Sequence, residues 1–413
     1  MSQRRVVVTG MGTVTPFGVG VDPFWDGLIE GRSGIRTITT FDASSFDVRF
    51  GGEVPDFDAT NHLDRKLIKR VDRYAQYALV SCDEAIRMSG IELEREDPYR
   101  MAAIFGTGIG GIRELEEQHL RLIQKGPSKV SAFTIPRLMV NAASGNLSIQ
   151  YGLKGNSMAV SSACASATHA MGEALREIRE GHADIVFTGG SEAALTPLAL
   201  AAFAAMKALS PRNDDPQRAS RPFDRDRDGF VLAEGAGAFI FEEYERAKRR
   251  NAPLIAEVIG FGATSDADHL TQPSEVGEGA GKAMSMALRD AQVSSTDVDY
   301  INAHGTGTPL GDIAETNAIK RVFADHAKKL VVSSTKSSVG HSLGGSGGVE
   351  LVATVRALQN CVIPPTINLD HPGEGCDLDY CPNTARDRRI RLALSNSFGF
   401  GGHNACIVVR RFE

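Results

Sequence analysis

Five points in a chain of 413 residues carry groups that could do chemistry together: Cys164, His304, Lys336, His341 and the Gly-rich turn at 398–402. Cys164 lies within MAVSSACASATHAMGEALREIREG, residues 158–181. Met158-Ala159-Val160 reads as the end of a buried strand. Beyond it Ala165, Thr168, Met171, Ala174, Leu175 and Ile178 recur at helical spacing, and Gly181 is a natural stop. A thiol at such a helix start faces unpaired backbone N–H groups and the positive end of the helix dipole, which favour the thiolate. Each residue has a plain structural reading when taken alone: a small core cysteine, loop histidines serving as hydrogen bonders, a solvated lysine. Together they suit acyl transfer. The thiolate attacks a thioester carbonyl, and backbone N–H groups at Cys164 and at 398–402 bind the oxyanion. Two neutral imidazoles then donate N–H to a second developing charge such as an enolate.

The elements that must position these groups alternate along the chain. Strands are predicted at 6–8, 101–105, 183–188 and 236–241, then in LIAEVIGFGATS, DYINAH and KLVVSSTK. Two more fall in RLALSNSFGFGGHNACIVVR, on either side of its Gly-rich turn. Helical periodicity covers 63–90, 279–292, 311–324 and 346–359, and LTPLALAAFAAMKAL (195–209) reads as a buried helix too short to span a bilayer. Residues 114–150 are mixed and suit a cap over a site, while 210–235 is polar and loop-like. The charged stretch 242–252 is the best boundary, giving halves 1–251 and 252–413. The pattern argues an α/β fold with largely parallel sheets, in which ligands collect at the carboxyl ends of strands. An internal echo points to duplication. VSSAC ending at Cys164 matches VSSTK ending at Lys336, and His169 follows the first as His341 follows the second, both offset by 172 residues (336 − 164 and 341 − 169). FGTG at 105–108 likewise matches HGTG at 304–307.

Composition narrows the class. With 42% hydrophobic and 23% charged residues the chain is globular, and a net charge of −6 argues against a dedicated nucleic-acid or membrane-surface protein. Six cysteines without a CxxC pair indicate neither a zinc ribbon nor a disulfide framework, so free thiols in a reducing cytoplasm are expected. MSQRRVVVTG enters an apolar strand without a signal-peptide core, which also points to the cytoplasm.

SSACASATHA, NAHGTGTPLGDIAE, KSSVGHSLGGSGGVE and NSFGFGGHN, in that order, resemble the β-ketoacyl-acyl-carrier-protein synthases of fatty-acid synthesis, closest to the synthase II type and end to end from VVVTGMG. The resemblance implies the thiolase fold: two duplicated βαβαβαββ halves in a five-layered α-β-α-β-α arrangement, as a homodimer. It implies decarboxylative condensation of acyl-ACP with malonyl-ACP to 3-oxoacyl-ACP and CO2, with no cofactor. Cys164 is then the acyl-carrying nucleophile. His304 and His341 promote decarboxylation, and Lys336 positions His341 with Glu350. Phe400 supplies an oxyanion N–H and the gate, and Phe398 and Phe400 bind substrate. Thr306 and Thr308 bind the phosphopantetheine arm, and Ile109 borders the acyl pocket. The same resemblance makes Arg65, Lys66, Lys69, Arg70, Lys129 and Lys207 carrier-protein docking residues. It also makes Asn302, Glu350, Ser395 and Asn396 a candidate monovalent-cation set, with no metal required. Two departures stand out: His403 where threonine is frequent, and a Gly-rich LGGSGG (343–348), expected to loosen the helix start it precedes.

Rival readings lose specific residues. A degradative thiolase would carry a second reactive cysteine where this chain has SFGFGGHN, and a non-catalytic chain-length partner would lack Cys164, His304 or His341. A ketosynthase of a polyketide or other specialised acyl pathway remains the alternative, since it uses the same chemistry. GTGIGG (106–111) fits a dinucleotide fingerprint without its acidic partner, DRDRDG (224–229) starts an EF-hand loop that lacks its final glutamate, and His169 reads as a core histidine.

Overall fold

The computed structural model describes residues 3–274 and 276–412. Two successive βαβαβαββ passes fill it. The first comprises β1 (Val6–Thr15), α1 (Arg73–Ser89), β2 (Met101–Gly106), α2 (Ala142–Tyr151), β3 (Ser157–Val160), α3 (Ser166–Arg179), β4 (Ile185–Glu192) and β5 (Gly235–Glu243). The second comprises β6 (Ala256–Ser265), α4 (Glu278–Asp290), β7 (Tyr300–Asn302), α5 (Gly311–Phe323), β8 (Val331–Ser333), α6 (Ser346–Asn360), β9 (Leu392–Gly399) and β10 (His403–Arg411). Strand order is β3-β2-β4-β5-β1 in the first and β8-β7-β9-β10-β6 in the second, the same permutation twice. The two runs meet where Val6, Val7 and Val8 pair antiparallel with Val258, Glu257 and Ala256.

The sheet is mixed rather than largely parallel. β2 runs parallel to β3 and β4, and β7 to β8 and β9, because helices cross over between them. The central pairs are antiparallel, β9 and β10 as a tight hairpin around the Gly-rich turn. The repeat gives the sequence echo a meaning. Cys164 and Lys336 each follow the third strand of their pass, while FGTG runs off the end of the second and HGTG follows its counterpart. All four lie at carboxyl ends of parallel strands, where α/β folds collect ligands.

α3 and α6 touch strands of both passes, whereas α1 covers β1, β5 and β4, and α4 covers β6 and β10. A helix held between two sets of strands must bury small and apolar side chains against both. In α3, Ala167, Ala170, Met171, Ala174, Leu175 and Ile178 are fully buried. Met171 and Leu175 contribute roughly 1.5–3 kcal/mol each by that burial. The glycines of LGGSGG serve the same packing and do not loosen it. A Cβ at Gly345 would stand 2.8 Å from the Gly235 carbonyl O, at Gly347 2.2 Å from Thr168 Oγ1, and at Gly348 2.5 Å from the Gly237 carbonyl O.

Three further expectations need correction. Residues 63–90 form two helices, Arg65–Ile68 and α1, because the side chain of Asp72 caps a new start. Residues 158–160 are only half-buried, since β3 pairs with β2 alone and ends the sheet. The 195–209 stretch yields a helix, Pro197–Ala205, that is largely exposed: Leu198 is 55% and Met206 47% accessible. Its uniform apolarity has no polar face to signal which side meets water.

Candidate active site

Cys164 sits on a sharp bend between β3 and α3. Ala163 before it adopts φ +50°, a left-handed conformation that costs a non-glycine residue energy. The bend is held locally. The Ser162 N–H donates to Ser166 Oγ (2.9 Å), Ser166 Oγ–H donates to the Ala163 carbonyl O (2.6 Å), and Ser162 Oγ lies 2.8 Å from His169 Nδ1. His169 is therefore no core histidine. It is half-buried, braces the bend from the first turn of α3, and faces the His403 ring at 6.4 Å. α3 itself starts at Ser166, two residues beyond the sulfur.

The thiolate expectation is overturned. Cys164 is 6% exposed, and burial pushes its thiol up to about 12, against the opposing pull of the Lys336 charge and the Phe400 N–H. The sulfur therefore rests protonated and must shed its proton as it reacts. His341 Nε2 is 3.0 Å away. Burial, followed by the Lys336 charge, holds the His341 imidazole well below its usual range, so the ring is neutral. The His341 backbone is fixed by an otherwise irregular segment: its N–H donates to the Val231 carbonyl O (2.7 Å) and its carbonyl accepts from the Ala233 N–H (3.0 Å).

His304 stands beside it, ring centroids 5.3 Å apart and nearly perpendicular. It too is held neutral, by burial first and then by Lys336 and His341. Lys336 differs from expectation in its partner. Its ammonium approaches His304, 3.3 Å from Nδ1 and 2.8 Å from the carbonyl O, and pairs with Glu350; His341 Nδ1 instead meets Ser346 Oγ at 2.9 Å. An ammonium only donates, so His304 Nδ1 accepts and Nε2 carries the proton. A cavity of about 570 Å³ brings Cys164, His304 and His341 together with Ile109, Thr306, Thr308, Phe398 and Phe400 in one wall. Lys336 is buried behind it, 1% exposed. Thr306 Oγ1 and Thr308 Oγ1 are 3.1 Å apart.

Three carboxylates shape this wall, and the sequence reading gave none of them a role. Glu315 accepts from the N–H groups of His304 (2.9 Å) and Gly305 (2.8 Å), and Asp312, three residues earlier on α5, from those of Thr306 and Gly307 (both 3.1 Å). Their signal was present in GDIAE, two carboxylates at i, i+3 beginning four residues beyond HGTG. Glu192, at the end of β4, accepts from Thr107 Oγ1 (2.9 Å) and from the N–H groups of Gly108 (2.7 Å), Ile109 (3.3 Å) and Gly344 (3.1 Å). It ties the loop bearing Ile109 to the one after His341. Burial raises its carboxyl to about 7. Two N–H groups of GTGIGG, those of Gly108 and Ile109, which could have cradled a phosphate, are thus turned on the protein's own carboxylate. In DRDRDG the first carboxylate is likewise used internally: Asp224 accepts from Arg221 Nε and from the N–H groups of Asp226, Asp370 and His371.

The candidate cation set passes a chemical test. Asn302 Oδ1, Glu350 Oε2, Ser395 Oγ and Asn396 Oδ1 are all buried oxygens without a hydrogen-bond partner among the described residues. Asn302 faces Ser395 across the β7–β9 pair and its Nδ2 donates to the Glu350 carbonyl O (3.3 Å). Orphaned oxygens of this kind suit a hard monovalent ion. Arg65, Lys66, Lys69, Arg70, Lys129 and Lys207 are all exposed, and Lys207 also lines the cavity.

Comparison with known proteins agrees with this geometry. Residues 3–247 match the family model for the beta-ketoacyl synthase N-terminal domain, and residues 255–370 that for the C-terminal domain. The chain is 49% identical to 3-oxoacyl-(acyl-carrier-protein) synthase 2 of Synechocystis sp. and to that of Vibrio harveyi, over 100% of this chain and 99% of each relative. Among solved structures, a type II polyketide ketosynthase in complex with its acyl-carrier protein is 36% identical, with a TM-score of 0.92 over the whole of both chains. A beta-ketoacyl synthase from Burkholderia phymatum is 35% identical, with a TM-score of 0.92 over 99% of this chain and 100% of that one. With both domain models matched and full-length relatives at this identity, the chain belongs to the beta-ketoacyl synthase family.

Proposed function

We propose that this chain condenses acyl-ACP with malonyl-ACP in fatty-acid synthesis, giving 3-oxoacyl-ACP, CO2 and free ACP. One observation carries the reading: a cysteine sulfur, 3.0 Å from one imidazole, shares a cavity wall with a second imidazole. Acyl-ACP loads Cys164, whose proton passes to His341. The N–H groups of Cys164 and Phe400 hold the oxyanion. Malonyl-ACP then enters, Thr306 and Thr308 meet its phosphopantetheine arm, and His304 and His341 stabilise the enolate left by CO2. The enolate attacks the acyl thioester, with Phe398 and Phe400 lining the gate and Ile109 the acyl pocket. Asn302, Glu350, Ser395 and Asn396 would hold a monovalent ion, which would take up the four buried oxygens left without partners. Incubation with malonyl-ACP and a ladder of acyl-ACPs tests the reading. Products two carbons longer, as 3-oxoacyl-ACP, are expected; hydrolysis alone would refute it. Identity of 49% to synthase II relatives, against 36% to the polyketide ketosynthase, favours fatty-acid elongation over a specialised pathway.

The finer architecture follows the same reading. Halves at 1–251 and 252–413 and a five-layered arrangement are supported by the repeated strand order and by α3 and α6 touching both passes. A homodimer is supported by the unpaired edge of β3 and by exposed Ile123, Phe133, Ile135, Ile149 and Leu198. No helix among the described residues is long and apolar enough to cross a membrane, and the carrier-bound substrates are cytoplasmic in this reading.

The basic cluster supplies docking. Arg65, Lys66, Lys69 and Arg70 lie on and just after one short helix, Arg65–Ile68, and the Arg70 guanidinium is 5.8 Å from the Phe133 ring. Reversing Lys66 and Lys69 to Glu is expected to raise KM for carrier-bound substrates on the order of tenfold and to spare pantetheine thioesters. Equal effects on both substrates would remove the steering role.

A further inference from the structure

Glu192 ends β4 fully buried, and its carboxylate holds two loops of the cavity wall. Oε1 accepts from Thr107 Oγ1 (2.9 Å) and the Ile109 N–H (3.3 Å), and Oε2 from the N–H groups of Gly108 (2.7 Å) and Gly344 (3.1 Å). The donors come from both passes: 107–109 follows β2, and Gly344 lies between His341 and α6. The two backbones meet closely at this carboxylate. A Cβ on Gly344 would stand 2.0 Å from the Gly108 nitrogen, and a Cβ on either glycine 2.8 Å from Oε2. The side chains these loops carry, Ile109 and Leu343, line the cavity together with Cys164. Leu343 is held at φ +43°, a left-handed conformation that the surrounding contacts must impose on a residue with a side chain.

Burying a carboxylate costs free energy unless its oxygens are satisfied, and here the partners are three backbone N–H groups and a hydroxyl, with no cation among them. What the charge fixes is therefore the spacing of two apolar side chains next to the nucleophile. We propose that Glu192 is the positioning residue that sets acyl-chain preference: its four hydrogen bonds hold the loops of Ile109 and Leu343 together, and their release opens the pocket to longer chains. The proposal rests on the condensing reading above, in which Ile109 borders the acyl pocket, and deepens it.

Loss of the charge releases the loops through donor matching. A protonated carboxyl carries one O–H among donors that need acceptors. Placed on Oε2, that proton meets the N–H groups of Gly108 and Gly344; placed on Oε1, it meets the Ile109 N–H, although the Thr107 hydroxyl can turn to accept it. The carboxyl, raised to about 7 by burial, passes between the two states near neutrality. Above that value it is ionised and the loops are held; below it they part. The other titratable groups around it keep one state there or face elsewhere. Cys164, in the bend before α3, is a thiol pushed up to about 12, and burial raises the Tyr74 phenol on α1. His341, in the loop before α6, is neutral and turns to the sulfur at 3.0 Å. Glu234, next to the Gly235 of β5 that pairs with Glu192, turns to Tyr77 (2.8 Å) and Arg113 (3.4 Å). Glu192 is thus the group in this wall whose titration reaches the Ile109 loop.

The test loads the full-length enzyme from an equal mixture of octanoyl-ACP and hexadecanoyl-ACP and reads both adducts by intact mass, a unit below and a unit above neutral pH. Both chains use the same sulfur, imidazoles and carrier, so a general effect of pH or of a weakened fold cancels in their ratio. For the wild type, hexadecanoyl over octanoyl should be about three- to tenfold higher at the lower pH, a modest share of what apolar pocket fit can discriminate. Glu192→Gln keeps the shape but cannot ionise, and it sets an amide N–H2 among the same donors. Its ratio should equal the low-pH wild-type value at both pH values. Ile109→Ala removes the side chain being positioned and should raise the ratio at both. A wild-type ratio that does not move between the two pH values, or a Gln variant that matches the wild type at the higher one, would overturn the proposal. The wild-type arm needs no substitution, so a poorly folding variant does not shelter it. If neither chain formed an adduct on the wild-type enzyme, the condensing reading would fall instead.

Discussion

Cys164→Ala is expected to abolish carbon–carbon bond formation while leaving measurable CO2 release from malonyl-ACP. In the proposed reaction the acyl group bonds to this sulfur, and each of the other cysteines lies outside the cavity wall. Without it, condensation should fall to the uncatalysed baseline. The decarboxylating groups survive the change. His304 stays fixed by Lys336 and Glu315, and His341 by Ser346 and the 231–233 backbone. The substitution removes one sulfur from a buried site and keeps the side chain small, so the bend at Ala163 and the hydrogen bonds of Ser162 and Ser166 remain. Normal extension of acyl-ACP by this variant would show that the nucleophile lies elsewhere.

His304→Ala is expected to split the reaction the other way. Loading should persist within a few fold, since the sulfur, His341 and the Phe400 N–H are untouched. CO2 release should drop roughly 10²–10³-fold, the usual cost of one preorganised donor to a developing oxyanion. The loop itself should hold its place. Glu315 grips the backbone N–H groups of residues 304 and 305, and Asp312 those of 306 and 307, whatever side chain residue 304 carries. An intact acyl adduct beside lost decarboxylation is therefore the signature. A variant that cannot be acylated would reassign His304 to the first half-reaction.

Much of this was legible in the chain, and the reasons are physical. The four side chains proposed for catalysis follow strand ends, and strands announce themselves as short apolar runs, so Cys164, His304, Lys336 and His341 could be placed at one edge of a sheet before any coordinates. The 172-residue echo was legible because both copies keep the same turn chemistry after the same strand. Protonation was not legible. A helix start promises a thiolate, but burial outweighs it and returns the thiol, a balance that depends on neighbours far away in sequence. The partner of Lys336 escaped for the same reason: His304 and Lys336 lie 32 residues apart, and only packing decides which histidine the ammonium meets. Glu192 and Ser346 gave no signal, one an acid at a strand end, the other a serine among glycines. The exposed helix Pro197–Ala205 misled because apolarity reports avoidance of water and not which surface provides it.

The most direct measurement follows one acyl group through the enzyme. The protein is loaded with acyl-ACP, freed of excess, mapped by peptide mass, then chased with malonyl-ACP while CO2 and product are counted. The adduct should sit on Cys164 alone, and each adduct lost should yield one CO2 and one 3-oxoacyl-ACP. An adduct on Cys82, Cys361, Cys376, Cys381 or Cys406, or one on Cys164 that malonyl-ACP cannot discharge, would contradict the convergence of sulfur and imidazoles on which the mechanism stands.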